Sequence, residues 1–157
     1  MIPNHIQPNK IKIDTSLSLI KYYPYFKRTI LWYSDPVLCK QVDNIDFIYD
    51  LDRLKRMYNY LSKNGECYYI KIFENGRSHL VGDISLCNGE IGMVVCKEYQ
   101  NRHIGRRAVR AILERAKEIG LDEVGAEIYA FNSQSKRMFL SVGFEQISEE
   151  KYIYKIK

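Results

Sequence analysis

Between Glu90 and Tyr129 the apolar residues change from an alternating pattern to a helical one and back, and this restricts the fold more than any other feature of the chain. Glu90 to Cys96 alternates as a strand. From Ile104 the apolar residues Ile104, Ala108, Ile112 and Ala116 fall on one helical face with Ala111 and Ile119, and Gly120 supplies the stop. Val124, Ala126 and Ile128 then alternate with Gly125 and Glu127. A strand, a crossover helix and a second strand of this length form a right-handed βαβ unit, so Glu90 to Cys96 and Val124 to Tyr129 are expected to be parallel neighbours.

The flanking segments add antiparallel material. Ile11 to Ile13 and Leu17 to Tyr22 read as short strands, and Tyr25 to Tyr33 as a helix ending before Asp35-Pro36, because the residue preceding proline avoids the α region. Asp50 caps a helix with an apolar face of Leu51, Leu54, Met57, Tyr58 and Leu61 that closes at Asn64-Gly65. Cys67 to Phe73, Leu80 to Leu86 and Glu90 to Cys96 are three strands in series, joined by the turn signals Asn75-Gly76 and Asn88-Gly89. Asn132 caps a short helix through Phe139 that ends at Gly143, and Gln146 to Glu150 with Tyr152 to Ile156 makes a closing pair. The expectation is an α+β fold with a mixed, mostly antiparallel sheet, and one domain over 1–157, since no repeat or Gly/Ser linker interrupts the chain.

Composition narrows the function. With 46% hydrophobic and 27% charged residues in 157, the chain has the make-up of a soluble domain with its own core. No apolar stretch reaches the roughly 18 residues of a membrane span, and the start Met1-Ile2-Pro3-Asn4-His5 lacks a leader's basic and apolar regions, so a cytoplasmic location without membrane contact is expected. Cys39, Cys67, Cys87 and Cys96 contain no C-x-x-C pair, and His5, His79 and His103 are dispersed, so no metal site is expected and the thiols read as reduced. Cys96 reads as a core thiol rather than a nucleophile, because no His or acidic partner is placed beside it.

A net charge of +5 points to an anionic partner. The charge gathers where strand Glu90 to Cys96 leads through a loop into the long helix: Arg102, Arg106 and Arg107 surround His103. A helix N-terminus already carries partial positive charge, and each exposed cation there costs roughly 0.3–1 kcal/mol. The alternative is a solvated face in which these arginines pair with Glu98, and Arg110 with Glu114. Gly105 favours a bound anion, since a first-turn glycine costs about 1 kcal/mol relative to alanine and lets a ligand approach the backbone. Neither G-x-x-x-x-G-K-[ST] nor G-x-G-x-x-G is present, which excludes the P-loop and dinucleotide readings.

Gln100-x-x-His103-x-Gly105 in this setting resembles the Q/R-x-x-G-x-G/A signature of the GNAT superfamily of acetyl-CoA-dependent N-acetyltransferases. Asn132-x-x-Ser135-x-x-x-Phe139-x-x-x-Gly143-Phe144 resembles the family's second element, N-x-x-A/S-x-x-x-Y-x-x-x-G-F. The resemblance covers about Val81 to Phe144. It implies a cleft between two splayed parallel strands, acetyl-CoA as cosubstrate and an amine acceptor. Pyrophosphate would lie on Gln100, Asn101, Arg102, His103, Ile104, Gly105, Arg106 and Arg107. Met93, Val94, Val95 and Cys96 would pair with the pantetheine arm, which Asn132 would hold from the opposite wall, with Ser135 and Phe139 on the same helix. Two positions depart from the pattern: His103 replaces the first glycine, and Phe139 replaces a tyrosine that would protonate the leaving thiolate, which a phenyl ring cannot do.

The acceptor ammonium must lose a proton before attack, which calls for a carboxylate. Glu90, at the start of the strand beside the acetyl group, is the first choice, Glu127 the second, and Asp83 would bind a cationic substrate. Trp32 with Tyr22, Tyr23, Tyr25 and Tyr33 either lines the acceptor pocket or packs helices. The leading function is acetyl transfer from acetyl-CoA to a primary amine of a small molecule or a protein N-terminus. The rivals are a non-catalytic CoA-binding or sensing module and an RNA-binding protein; Glu98, Glu114 and Glu118 break up the basic stripe that nucleic acid would need. A homodimer is compatible with this reading.

Overall fold

Both two-residue turns form as their sequences require. Asn75 and Gly76 have φ of 52° and 73°, and Asn88 and Gly89 have 53° and 76°, the left-handed pair that joins strands without splaying them. They link β3 (Gly65–Glu74), β4 (Arg77–Cys87) and β5 (Glu90–Val95) into an antiparallel meander. The computed structural model describes residues 5–157, so the reading of Met1 to Asn4 as lacking a leader lies outside them.

The described residues place β1 (Lys10–Lys12), β2 (Leu17–Lys21), the meander, β6 (Glu123–Glu127), β7 (Glu145–Gln146) and β8 (Lys151–Lys155) in one sheet of order β1-β2-β3-β4-β5-β6-β8-β7. Every neighbouring pair is antiparallel except β5 and β6. This is the mixed α+β sheet expected from the sequence. Helices α1 (Phe26–Trp32), α2 (Pro36–Asp43) and α3 (Leu51–Asn64) precede the meander, α4 (Ile104–Glu118) crosses from β5 to β6, and α5 (Ser133–Val142) follows β6.

Alternation along β3 sorts the layers. Tyr69 faces α1 and α3, edge-on to Trp32 at 6.4 Å and to Tyr58 at 5.9 Å. Glu66 and Tyr68 face α4, where Arg115 donates to both Glu66 carboxylate oxygens at 2.9 and 2.8 Å and to the Ile6 carbonyl at 3.0 Å. The Tyr68 hydroxyl donates to the same carboxylate. Burial opposes the charge on Glu66, yet Arg115 and Tyr68 hold its carboxyl below the usual range. All four cysteines are unpaired and buried.

The first helix ends before Asp35-Pro36 as expected, but a helix the sequence reading did not assign, α2, begins there, with the Asp35 carboxylate accepting from Val37 N at 2.9 Å and proline at the first helical position. Helix α3 closes at Asn64-Gly65 as expected, with Gly65 in an extended conformation. The role of this glycine is close approach, because a Cβ there would sit 2.3 Å from the Leu86 carbonyl oxygen. The closing pair is shorter than expected, since β7 keeps only Glu145 and Gln146.

The Arg115–Glu66 pair is 10% and 2% exposed, so removing one partner strands a charge in the core. Arg115→Ala is expected to lower unfolding free energy by about 3–5 kcal/mol in urea titration, and Arg115→Met with Glu66→Gln to recover most of it.

Candidate active site

The two parallel strands barely touch. Glu90 and Gly125 are their one register pair, with Gly125 N–H donating to the Gly89 carbonyl at 2.8 Å, although β5 runs on to Val95 and β6 to Glu127. Beyond that pair the strands part. A backbone edge needs partners, so Met93, Val94 and Val95 line a gap that a ligand can complete.

Two cavities open from the gap. The larger, about 530 Å³, has Met93, Val94 and Val95 on one side, Gln100, Asn101 and His103 from the loop, Ile104, Gly105 and Arg106 from the first turn of α4, and Asn132 and Ser135 opposite. The smaller, about 280 Å³, lies on the α1–α3 face and is lined by Tyr33, Tyr49, Asp83, Glu127 and Phe139 among others. Gln41, Val42, Met93, Val94, Asn132 and Ser135 line both, so the cavities meet where β5 leaves β6.

The larger cavity carries positive character. No side chain caps α4 and no acidic residue lies in its first turn, so the first N–H groups are free for an anion. Arg106 Nε is buried without a hydrogen-bond partner, an arrangement that costs free energy unless a ligand oxygen meets it. His103 takes φ of 60° and Asn101 φ of 63°. The histidine therefore keeps the left-handed turn that a glycine would supply more cheaply. The Gln100 side chain donates to the Val95 carbonyl at 2.9 Å and pins the loop to β5. Gly105 leaves room for Met93, whose methyl group would lie 2.9 Å from an added Cβ.

The arginine cluster divides differently from the sequence reading. Arg102 pairs with Glu74 and Arg107 with Asp14, both at 2.7 Å, and neither lines either of these two cavities. Glu98 is not their partner; the long-range carboxylates of β3 and of the β1–β2 turn are. Burial works against the Asp14 charge, but Arg107, Ser16 and Leu17 hold its carboxyl down to about 2. Asn132 caps α5, accepting from Ser135 N at 3.3 Å, while lining the gap.

The smaller cavity carries the opposite charge. Asp83 is 5% exposed, and the phenols of Tyr33 and Tyr58 donate to the same oxygen, Oδ2, at 2.8 and 2.7 Å. Among the described residues Oδ1 has no protein partner. Burial pushes the Asp83 carboxyl up to about 6, with the two phenols partly offsetting it. The Tyr33 and Tyr58 hydroxyls are raised well above their ordinary range by burial and by this carboxylate, so they stay protonated and donate.

The other carboxylates are held by cations. Glu90 lines neither cavity: it sits at the joined end of the strands, 3.4 Å from Lys151 Nζ. Glu127 lines the smaller cavity but lies 2.8 Å from the same ammonium. Tyr33 is the member of the early aromatic group that reaches the site, whereas Trp32 and Tyr22 pack on Tyr69 and Tyr58. The Phe139 ring is edge-on to Phe144 at 4.9 Å and offers no proton. Sequence reasoning missed Gln41 and Val42 because it missed α2; an aspartate followed by proline at a first helical turn was the available signal.

A family model described as an acetyltransferase (GNAT) domain matches residues 24–145, and the chain belongs to this family. An uncharacterized protein of Methanocaldococcus jannaschii is 30% identical over 98 residues, 57% of this chain, and the match covers only 20% of that protein. An acetyltransferase from Agrobacterium tumefaciens matches in fold with a TM-score of 0.77 at 16% identity, covering 98% of this chain and 96% of that one. A spermidine N-acetyltransferase from Vibrio cholerae, solved with CoA and spermine, has a TM-score of 0.75 at 11% identity, covering 90% and 96%. Among the described residues no helix is long and apolar enough to cross a membrane.

The left-handed His103 separates two substitutions. His103→Gly is expected to leave stability within about 1 kcal/mol of the native protein, and His103→Val to cost about 1–2 kcal/mol more, read by urea titration.

Proposed function

We propose that the protein is an N-acetyltransferase that moves an acetyl group from acetyl-CoA to a primary amine by direct attack. The observation that carries this reading is the meeting of two oppositely charged cavities at one gap between parallel strands. One offers free helix N–H groups and an unpartnered guanidinium nitrogen, the other a buried carboxylate with one free oxygen. Family membership and the CoA bound to the Vibrio relative support the same assignment.

Acetyl-CoA supplies a thioester whose C–S bond breaks as the amine nitrogen forms its bond to the acetyl carbon. The first turn of α4 and Arg106 hold the pyrophosphate, with Gln100, Asn101 and His103 shaping the loop. Arg102 and Arg107 brace this turn through their ion pairs instead of touching phosphate. The open edge of Met93, Val94 and Val95 pairs with the pantetheine amides, and Asn132 with Ser135 closes the other wall. Asp83 replaces Glu90 and Glu127 as the proton acceptor. Its Oδ1 takes the ammonium proton while Tyr33 and Tyr58 fix the carboxylate through Oδ2. The thiolate takes, through solvent, the proton that the acylated nitrogen gives up, because Phe139 has none to donate.

Asp83 accepts a proton only when ionised. The rate kcat/KM is therefore expected to fall with unit slope as pH drops through about 6, measured by thiol release between pH 5 and 8. Folding raises this carboxyl above its unfolded value, so its contribution to stability is full at acid pH and is lost as pH rises through about 6. Asp83→Asn is accordingly expected to lower kcat by about 100-fold or more without loss of stability at pH 8; retention of full activity would overturn the assignment.

Arg106→Met is expected to weaken acetyl-CoA binding by about 10–100-fold in calorimetry, the range for a hydrogen bond to a charged group. No heat from the native protein at millimolar acetyl-CoA and low salt would sink the reading as a whole.

A further inference from the structure

Three carboxylates line the smaller cavity, Asp43, Asp83 and Glu127, and they are not equivalent. Asp43 is matched by Arg53 at 2.7 Å and also accepts from the Tyr49 hydroxyl at 2.9 Å. The same guanidinium lies over the Tyr49 ring, 4.9 Å from its centroid, which fixes it against that wall. Glu127 is matched by Lys151 at 2.8 Å, an ammonium that Glu90 also approaches. Asp83 alone is held by neutral groups, two phenols on one oxygen. Glu127 shares its one ammonium with Glu90, and among the described residues Asp83 is the lining carboxylate that no cation of the chain contacts.

Resting on the acetyl-transfer reading, we infer that the acceptor is a primary monoamine: one ammonium group, received by Asp83, on a body that carries no second positive charge. Tyr33, Tyr49, Met57, Leu61 and Ile128 give that body an apolar and aromatic surface. A second ammonium would meet Arg53 or Lys151 where it sought Asp43 or Glu127, and the like charges repel there, partly screened because these pairs are 35% and 47% exposed. Asp83 and Glu127 lie on strands separated by β5, their backbones about two strand spacings, or roughly 10 Å, apart across the sheet. A diamine reaching from one to the other would therefore have to displace Lys151.

The test compares hexylamine with hexane-1,6-diamine, which differ in the terminal group alone, and reads thiol release from acetyl-CoA. The native protein is expected to favour hexylamine in kcat/KM by about 10-fold or more, a ratio set by electrostatic discrimination. Lys151→Met frees Glu127 and is expected to reduce that preference by about 10-fold, with Glu127→Gln added to it restoring the preference. A native protein that prefers the diamine, or a folded Lys151→Met variant with an unchanged ratio, would overturn the inference and leave acetyl transfer standing. Turnover of neither amine by protein that binds acetyl-CoA would overturn the inference, and thiol release with a peptide N-terminus in the same assay would leave acetyl transfer standing.

Discussion

Two strands that share a single register pair and then diverge leave backbone N–H and C=O groups without partners along both inner edges. Such groups are costly away from water, so the divergence has to be supported from outside the sheet and completed from within the gap. Support comes from α4, which leaves β5 at one end of the split and returns to β6, and from α2, whose Gln41 and Val42 stand across the opening. Helix α4 is itself anchored twice at a distance, by Arg115 on Glu66 and by Arg107 on Asp14. Its uncapped end is therefore held at the gap by one ion pair in its own first turn and another near its far end.

The charges around the gap follow a simple division. Cations on the ligand-binding side that serve structure are neutralised by distant carboxylates, as Arg102 and Arg107 are, and Arg106 keeps a nitrogen unmatched. On the opposite side Asp43 is paired with Arg53, Glu127 shares Lys151 with Glu90, and Asp83 touches no cation among the described residues. Leaving such groups uncompensated costs stability locally.

Much of this was legible in the sequence. The turn pairs, the helix faces and the change of period between Glu90 and Tyr129 are local properties, and local properties are what sequence spacing encodes. The first turn of α4 was legible for the same reason, since loop and helix start are contiguous. The partners of Arg102 and Arg107 were not, because Glu74 and Asp14 come close through the sheet rather than along the chain. The surroundings of Asp83 were hidden for a related reason: they depend on Tyr33 and Tyr58, side chains brought from two other helical segments. The αL geometry at His103 was legible only through the glycine that the family signature places there, since histidine enters that region at a cost.

The four buried cysteines have a consequence of their own. Burial raises the Cys39, Cys67, Cys87 and Cys96 thiols, so the native chain presents little thiolate to electrophiles at neutral pH. They are spread over α2, β3, the end of β4 and the exit from β5, each under a different part of the packing. Labelling by a disulfide-exchange reagent therefore reports, thiol by thiol, which part of the molecule opens first, and the protein carries its own set of probes for local unfolding.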